Sequence, residues 1–423
     1  AGNYNIVTTR VTDMSNQFKD KNTFNSDISH WDTSNVTNMD SMFSGAVLFD
    51  QPIGIWDTSK VTSMIGTFFI ARNFNQPLDG WDTGEVTDMT QMFNGAGEFN
   101  QNINTWNTSK VTEMNYLFAS ADEFNQPLNN WDTSSVTEMI GMFRDATKFN
   151  QPINNWNVSS VTNMTRMFDI ANAFNQPINN WDVSSVTDMS YMFHLSNLQN
   201  SNFNQPLNNW VVSSVTDMSY MFGTTGGTRG VRAFNQDIGD WDVSSVTNMS
   251  GIFKSAEQFN QDLSDWNMSS VTAVGVMFDR ASAFNNGGVS LNCWDVSNIT
   301  NFGYMFYYSG FNQDISNWCV QAVGAAPAGF SGGDPGTAGR LFNDNAAFQP
   351  LWGQACEDRS VVISFDDETR TFEDPISPVT ATSNQLGIPI TYSIADKSIA
   401  TIDGSSGEIT ILKPGITTVT ASQ

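Results

Sequence analysis

The chain has 423 residues, and its 43 Asp and Glu outnumber its 18 Lys and Arg, giving a formal net charge of -25. This balance excludes unaided nucleic-acid binding, which needs a basic surface against phosphate, and it excludes a polybasic membrane patch. No apolar run reaches about 18 residues, so no spanning helix and no direct membrane insertion are expected.

All 13 tryptophans fall at one equivalent position of an internal repeat. They are Trp31, Trp56, Trp81, Trp106, Trp131, Trp156, Trp181, Trp210, Trp241, Trp266, Trp294, Trp318 and Trp352, the first seven spaced by 25 residues. A period of this size predicts a solenoid in which each coil buries its apolar side against its neighbours. So regular a tryptophan ladder is expected to face inward.

The unit from Val61 to Trp81 reads VTSMIGTFFIARNFNQPLDGW. Val61, Met64, Phe68 and Ala71 match the apolar stripe of an amphipathic helix of about three turns. Asp57, Thr58 or Ser59 would cap it. A short parallel strand is placed near Leu78, because Pro77 and its equivalents Pro52, Pro127, Pro152, Pro177 and Pro206 would break a ladder at any position but its start. The expected fold of residues 1–358 is thus a right-handed α/β solenoid with about 25 residues per coil and about thirteen coils. At about 4.8 Å per coil it would be about 60 Å long.

Asn follows the second Phe of nearly every unit, as at Asn75, Asn100 and Asn125, with Asp50 standing in once. A structural ladder is the plain reading of this column and a ligand-binding polar stripe the alternative. Acids or amides follow Trp, as at Asp32, Asp57, Asp82 and Asn107. Caps and turns are the plain reading here. Stacked carboxylates make bound calcium the alternative, although no EF-hand spacing is present.

The run WDVSSVTNMSGIFKSAEQFNQDLSDW, Trp241 to Trp266, resembles a bacterial surface-protein repeat of about 25 residues, similar to the leucine-rich repeats of a surface-antigen family. The resemblance covers roughly Val11 to Cys356. It implies a leucine-rich-repeat-like solenoid at the extracellular cell surface, with adhesion as its role and no catalytic residues. The period is broken at His194–Asn202, at Gly223–Arg232 and at Asn286–Asn292. Such insertions leave a solenoid as loops from one edge. The second puts Arg229 and Arg232 in an acidic chain and is the candidate binding loop, with a tolerated flexible loop as the plain alternative. An atypical C-terminal cap is expected from about residue 319. Members of the resembled family often end in a similar WCV…WG…C run, which implies that Cys319 pairs with Cys356 and leaves Cys293 as the odd thiol.

From 359 to 423 the composition changes. VVISF, ITYSI, SIATI, GEITIL and TTVTAS read as strands of a small all-β sandwich. The segment resembles a bacterial immunoglobulin-like domain of the invasin kind, which implies a stalk. The match stops at Gln423, so the chain reads as an excerpt of a longer protein with further such domains.

The sequence therefore points to an extracellular adhesin or binding module for a surface protein or glycan. A structural surface or filament component is the alternative. An enzyme is not expected, since His30 and His194 have no partners at motif spacing. Peptide mapping under non-reducing conditions is expected to recover Cys319 joined to Cys356 and Cys293 alkylated; a bridge involving Cys293 would overturn the pairing.

Overall fold

The computed structural model describes residues 8–195, 202–226, 233–332 and 346–354, and beyond them residues 363–365, 381–383, 391–395, 398, 400–403, 405, 409–411 and 419–422. Units 25 residues apart lie side by side. Single parallel bridges join the residue after the Val-Thr or Ile-Thr pair of each unit, from Asp13 through Asn38, Ser63, Asp88, Glu113 and Glu138 to Asn301.

The backbone of each unit is a run of turns. Met64, Gly66, Phe68 and Ile70 donate their N–H groups to Asp88, Thr90, Met92 and Asn94 of the next unit. The interleaved Thr67, Phe69 and Ala71 donate to Met64, Gly66 and Phe68, three residues back. Alternate N–H groups thus bond forward along the stack and the rest close local turns. This meets the requirement that buried backbone groups be paired, without helix or sheet. Most units have two residues four apart with positive φ, such as Gly66 at 57° and Ile70 at 55°. The same holds at Ser41 and Gly45, and at Gln91 and Gly95, while the two units that lead into insertions keep only the first, at Tyr191 and Tyr220. A left-handed residue at each of these places prevents α-helix.

The expected α/β solenoid is corrected accordingly. Among the described residues there is no α-helix, only the 3-10 turns Asn286–Gly288 and Ala346–Phe348. Among the described residues of the repeat region the only strands are β1 (Phe306–Tyr307) and β2 (Ser331–Gly332), which pair in parallel. The stripe Val61, Met64, Phe68, Ala71 does face the core, fully buried. A run of turns presents apolar residues at spacings of three and four just as a helix does. The expected strand near Leu78 is absent as well, since Trp81 N–H closes a turn onto the Leu78 carbonyl. The leucine-rich-repeat-like description, with its strand and helix per unit, does not apply.

The core is a set of stacked columns. Phe68 lies 5.5 Å from Phe93 in the next unit and 4.0 Å from Phe74 in its own, and Phe74 stacks on Phe99 at 6.0 Å. Each buried Phe contributes roughly 1.5–3 kcal/mol by area. The tryptophans form a third column, with Trp106 and Trp131 rings 6.4 Å apart and 5° from parallel. Each indole N–H from Trp56 to Trp318 donates to the Leu or Ile carbonyl of the preceding unit, as Trp131 does to Ile103 at 3.1 Å. The same bond runs from Trp56 onto Ile28 and recurs up to Trp318 onto Leu291. Trp31 and Trp352 are partly buried. Trp352 does not continue the stack and meets Phe330 edge-on at 4.8 Å.

Polar columns tie the outside. Asn75 Oδ1 accepts from Asn100 N–H at 3.0 Å and from Gln101 Nε2 at 2.9 Å, and each successive Asn through Asn235 repeats the clamp. This is the structural ladder. The exposed Thr62 donates both N–H and Oγ1 to the Thr37 carbonyl, and Thr87 does the same to Thr62.

Beyond the stack, β3 (Ile363–Phe365) pairs antiparallel with β4 (Ala381–Ser383), β5 (Thr391–Ile394) with β8 (Val419–Ser422), and β6 (Ala400–Ile402) with β7 (Ile409–Ile411). Five of these strands lie in the runs read as strands; β4 does not. The described strands form separate two-stranded pairs and do not by themselves make the expected sandwich.

Trp131→Phe keeps most of the apolar contact but strands the Ile103 carbonyl's indole bond, and is expected to cost about 1–3 kcal/mol. Trp131→Ala opens a cavity in mid-stack and is expected to cost about 3–5 kcal/mol. Urea unfolding followed by intrinsic fluorescence measures both; no loss in Trp131→Phe would remove the hydrogen bond from the account.

Candidate binding cleft

The outer turns carry the side chains that depart from the repeat. Between 61 and 148 the aligned segments read TFFIARN, MFNGAGE, LFASADE and MFRDATK. The second is the low one. Gly95 and Gly97 stand where the flanking units carry Ile70 and Arg72 on one side and Ser120 and Asp122 on the other. A Cβ on Gly97 would meet only Asp122 Oδ2, at 3.7 Å. The result is a cleft of about 900 Å³ with Phe69, Ile70 and Arg72 on one wall and Tyr116, Asp122 and Arg144 on the other. Asn94 and Glu98 also line it.

Charges of both signs meet there. Burial raises the Asp122 carboxyl above its ordinary pKa, and Glu123 and Glu98 add to the effect. Asp145 is raised too, by burial first and then by Asp122. Glu123 is engaged by Lys148 at 2.6 Å. Arg72 makes no ion pair among the described residues.

Next to the cleft, Arg144, Asp169 and His194 occupy one column, 25 residues apart. Asp169 is fully buried. Its carboxylate meets His194 Nδ1 at 2.6 Å, Arg166 Nη1 at 2.8 Å and Arg144 Nε at 3.3 Å. The Arg166 guanidinium lies 4.2 Å over the Tyr191 ring. Thr225 N–H donates to His194 Nε2 at 3.0 Å, so the ring proton sits on Nδ1 and points at Asp169. With that lone pair occupied, Nε2 is not free to draw a proton from the Thr225 hydroxyl 3.2 Å away. The group therefore holds structure. It pins the roots of two inserted loops side by side, where Leu195 bridges to Thr224. Motif spacing did not reveal His194's partner, whereas reading the sequence at a 25-residue register does.

The other expected site residues divide as follows. The tryptophans from Trp56 to Trp318 are buried and present no binding surface. Cys319 is disulfide-bonded and Cys293 carries a free thiol. Cys356, Arg229 and Arg232 lie outside the described residues. The acids after Trp close turns: Asp132 Oδ1 accepts from Ser134 N–H at 3.0 Å and from its hydroxyl at 2.7 Å, which lowers the Asp132 pKa. No group of three or more metal-ligating side chains occurs among the described residues.

The family model described as "Mycoplasma protein of unknown function, DUF285" matches residues 3–105, 71–172, 153–228 and 226–335. The chain belongs to this repeat family. No curated protein and no solved structure matches it.

The raised Asp145 pKa has a definite sign. Its folded-state value exceeds the unfolded one, so the ionised carboxylate weakens the fold at neutral pH, and stability is regained as pH falls through the folded pKa. Asp145→Asn is expected to raise the urea midpoint at pH 7, with the gain shrinking towards pH 3. A pH-independent difference would assign the effect to something other than ionisation.

Proposed function

We propose that the chain is an extracellular surface module that binds a glycan or protein on another cell. The observation that carries this reading is the cleft, where a turn face otherwise repeated unit after unit drops to glycine and gathers Arg72, Arg144, Glu98, Asp122 and Tyr116. A concave site with a few convergent polar groups is the ordinary form of a recognition site. The stack supports it as a rigid scaffold, because its backbone groups are engaged between units and its rings fill the interior. The resemblance of residues 359–423 to immunoglobulin-like repeats is the ground for giving that segment a spacer role.

The second reading, a structural surface or filament component, is favoured by the exposed column Thr37, Thr62, Thr87, whose hydroxyls bond only from unit to unit. Fluorescent full-length chain is incubated with intact bacterial and animal cells, untreated, periodate-treated or protease-treated. Saturable binding that periodate or protease abolishes is expected. No binding to any cell, together with concentration-dependent assembly in sedimentation, would replace the binding module by the structural component.

A further inference from the structure

Resting on the binding-module reading, we infer that the cleft takes an uncharged oligosaccharide laid across the units from 61 to 148, with Gly97 as its floor. The first argument is charge. Arg72 and Arg144 oppose a polycation, while Glu98, Asp122 and Glu123 oppose a sulfated or carboxylated chain. A ligand without net charge avoids both penalties.

The second argument is hydrogen-bond capability. Carboxylates only accept and guanidinium groups only donate, and the carboxamide of Asn94 does both. A sugar hydroxyl does both as well, so a row of hydroxyls satisfies this mixed lining where a ligand of donors alone or acceptors alone does not. Burial raises the Asp122 carboxyl, with Glu123 and Glu98 adding to the shift, so a hydroxyl donor brought to it relieves a group that makes no ion pair among the described residues.

The third argument is apolar contact. Tyr116 lies with one side of its ring over the Gly141 backbone, where a Cβ would come within 2.4 Å of the ring. Gly141 does not line the cleft and Tyr116 does, so the ring surface that Gly141 leaves uncovered is available at the cleft. Together with Phe69 on the opposite wall it offers the flat carbon surface that the C–H face of a pyranose packs against.

A peptide fits less well. The most general handle for a peptide is an unpaired backbone edge. Here Ile70, Gly95 and Ser120 already donate to Asn94, Ala119 and Arg144. Those three N–H groups are closed to a peptide strand.

Gly97 supplies the test, because its φ is not in the left-handed region and its Cβ position is open. Gly97→Phe fills the cleft without backbone strain, and Asp122→Asn removes one acceptor. The full chain and both variants are titrated calorimetrically with neutral gluco-, manno- and N-acetylglucosamine oligosaccharides, with a sulfated oligosaccharide as the charged comparison. At least one neutral series is expected to bind, with affinity falling roughly tenfold or more in Gly97→Phe and several-fold in Asp122→Asn while near-UV circular dichroism is unchanged. Undiminished binding by Gly97→Phe, binding of the sulfated chain alone, or no oligosaccharide binding by the parent protein would each overturn the inference. If Gly97→Phe loses its near-UV signal, Asp122→Asn and Arg72→Ala decide, and full affinity in both overturns it. Cell binding that survives in Gly97→Phe sinks this inference and leaves the surface-module reading standing. Oligosaccharide binding without cell binding does the reverse.

Discussion

The structure depends on one interaction, the forward hydrogen bond from alternate backbone N–H groups of each unit to carbonyls of the next. A single unit closes only its local turns, such as Thr67 N–H onto Met64, and leaves Met64, Gly66, Phe68 and Ile70 without acceptors until Asp88 to Asn94 arrive. Stability is therefore a property of neighbours, as in other stacked repeats. The same bonds enforce register, since a one-position slip would mispair every turn. One or two positive-φ residues per unit are the conformational cost of this geometry. Inter-unit bonds and stacked rings offset it.

Register turns each sequence position into a column, and the columns explain the composition. A ring repeated at one position stacks on copies of itself, as Phe68 does on Phe93. Trp serves in the third column because its N–H reaches the carbonyl of the preceding Leu or Ile, a bond Phe cannot make. Asn at its position holds the next unit through Oδ1 rather than facing a ligand. Charges obey the same rule. Asp122 and Asp145 are raised partly by acidic neighbours, and Asp169 is tolerated in full burial because Arg144, Arg166 and His194 surround it.

Where every column serves packing, individuality lies in the exceptions. Gly95 and Gly97 lower the turn face and create the cleft, and His194 with Asp169 anchors the place where the period is interrupted. The sequence reading went to the inserted loops and missed the cleft. An insertion is visible as a change of spacing, but a depression appears only when one unit is compared side by side with the units stacked on it.

Sequence alone determined the repeat, its period and the inward-facing set, because Trp, Phe, Met and Val recur at fixed places and such large apolar groups have no other stable location than between stacked units. It also separated the Trp-free segment after 359. It did not determine the local backbone. Spacings of three and four suit a helix and a run of turns alike, and the positive-φ positions hold Gly66 and Gly141 but also Gln91, Tyr116 and Arg166, which hid the glycine signal. Only the tertiary structure decided between them, because the turns are stabilised by acceptors that lie 24 residues away in the next unit and that no local pattern represents. The cleft is tertiary for the same reason, since its walls come from units brought together only by stacking.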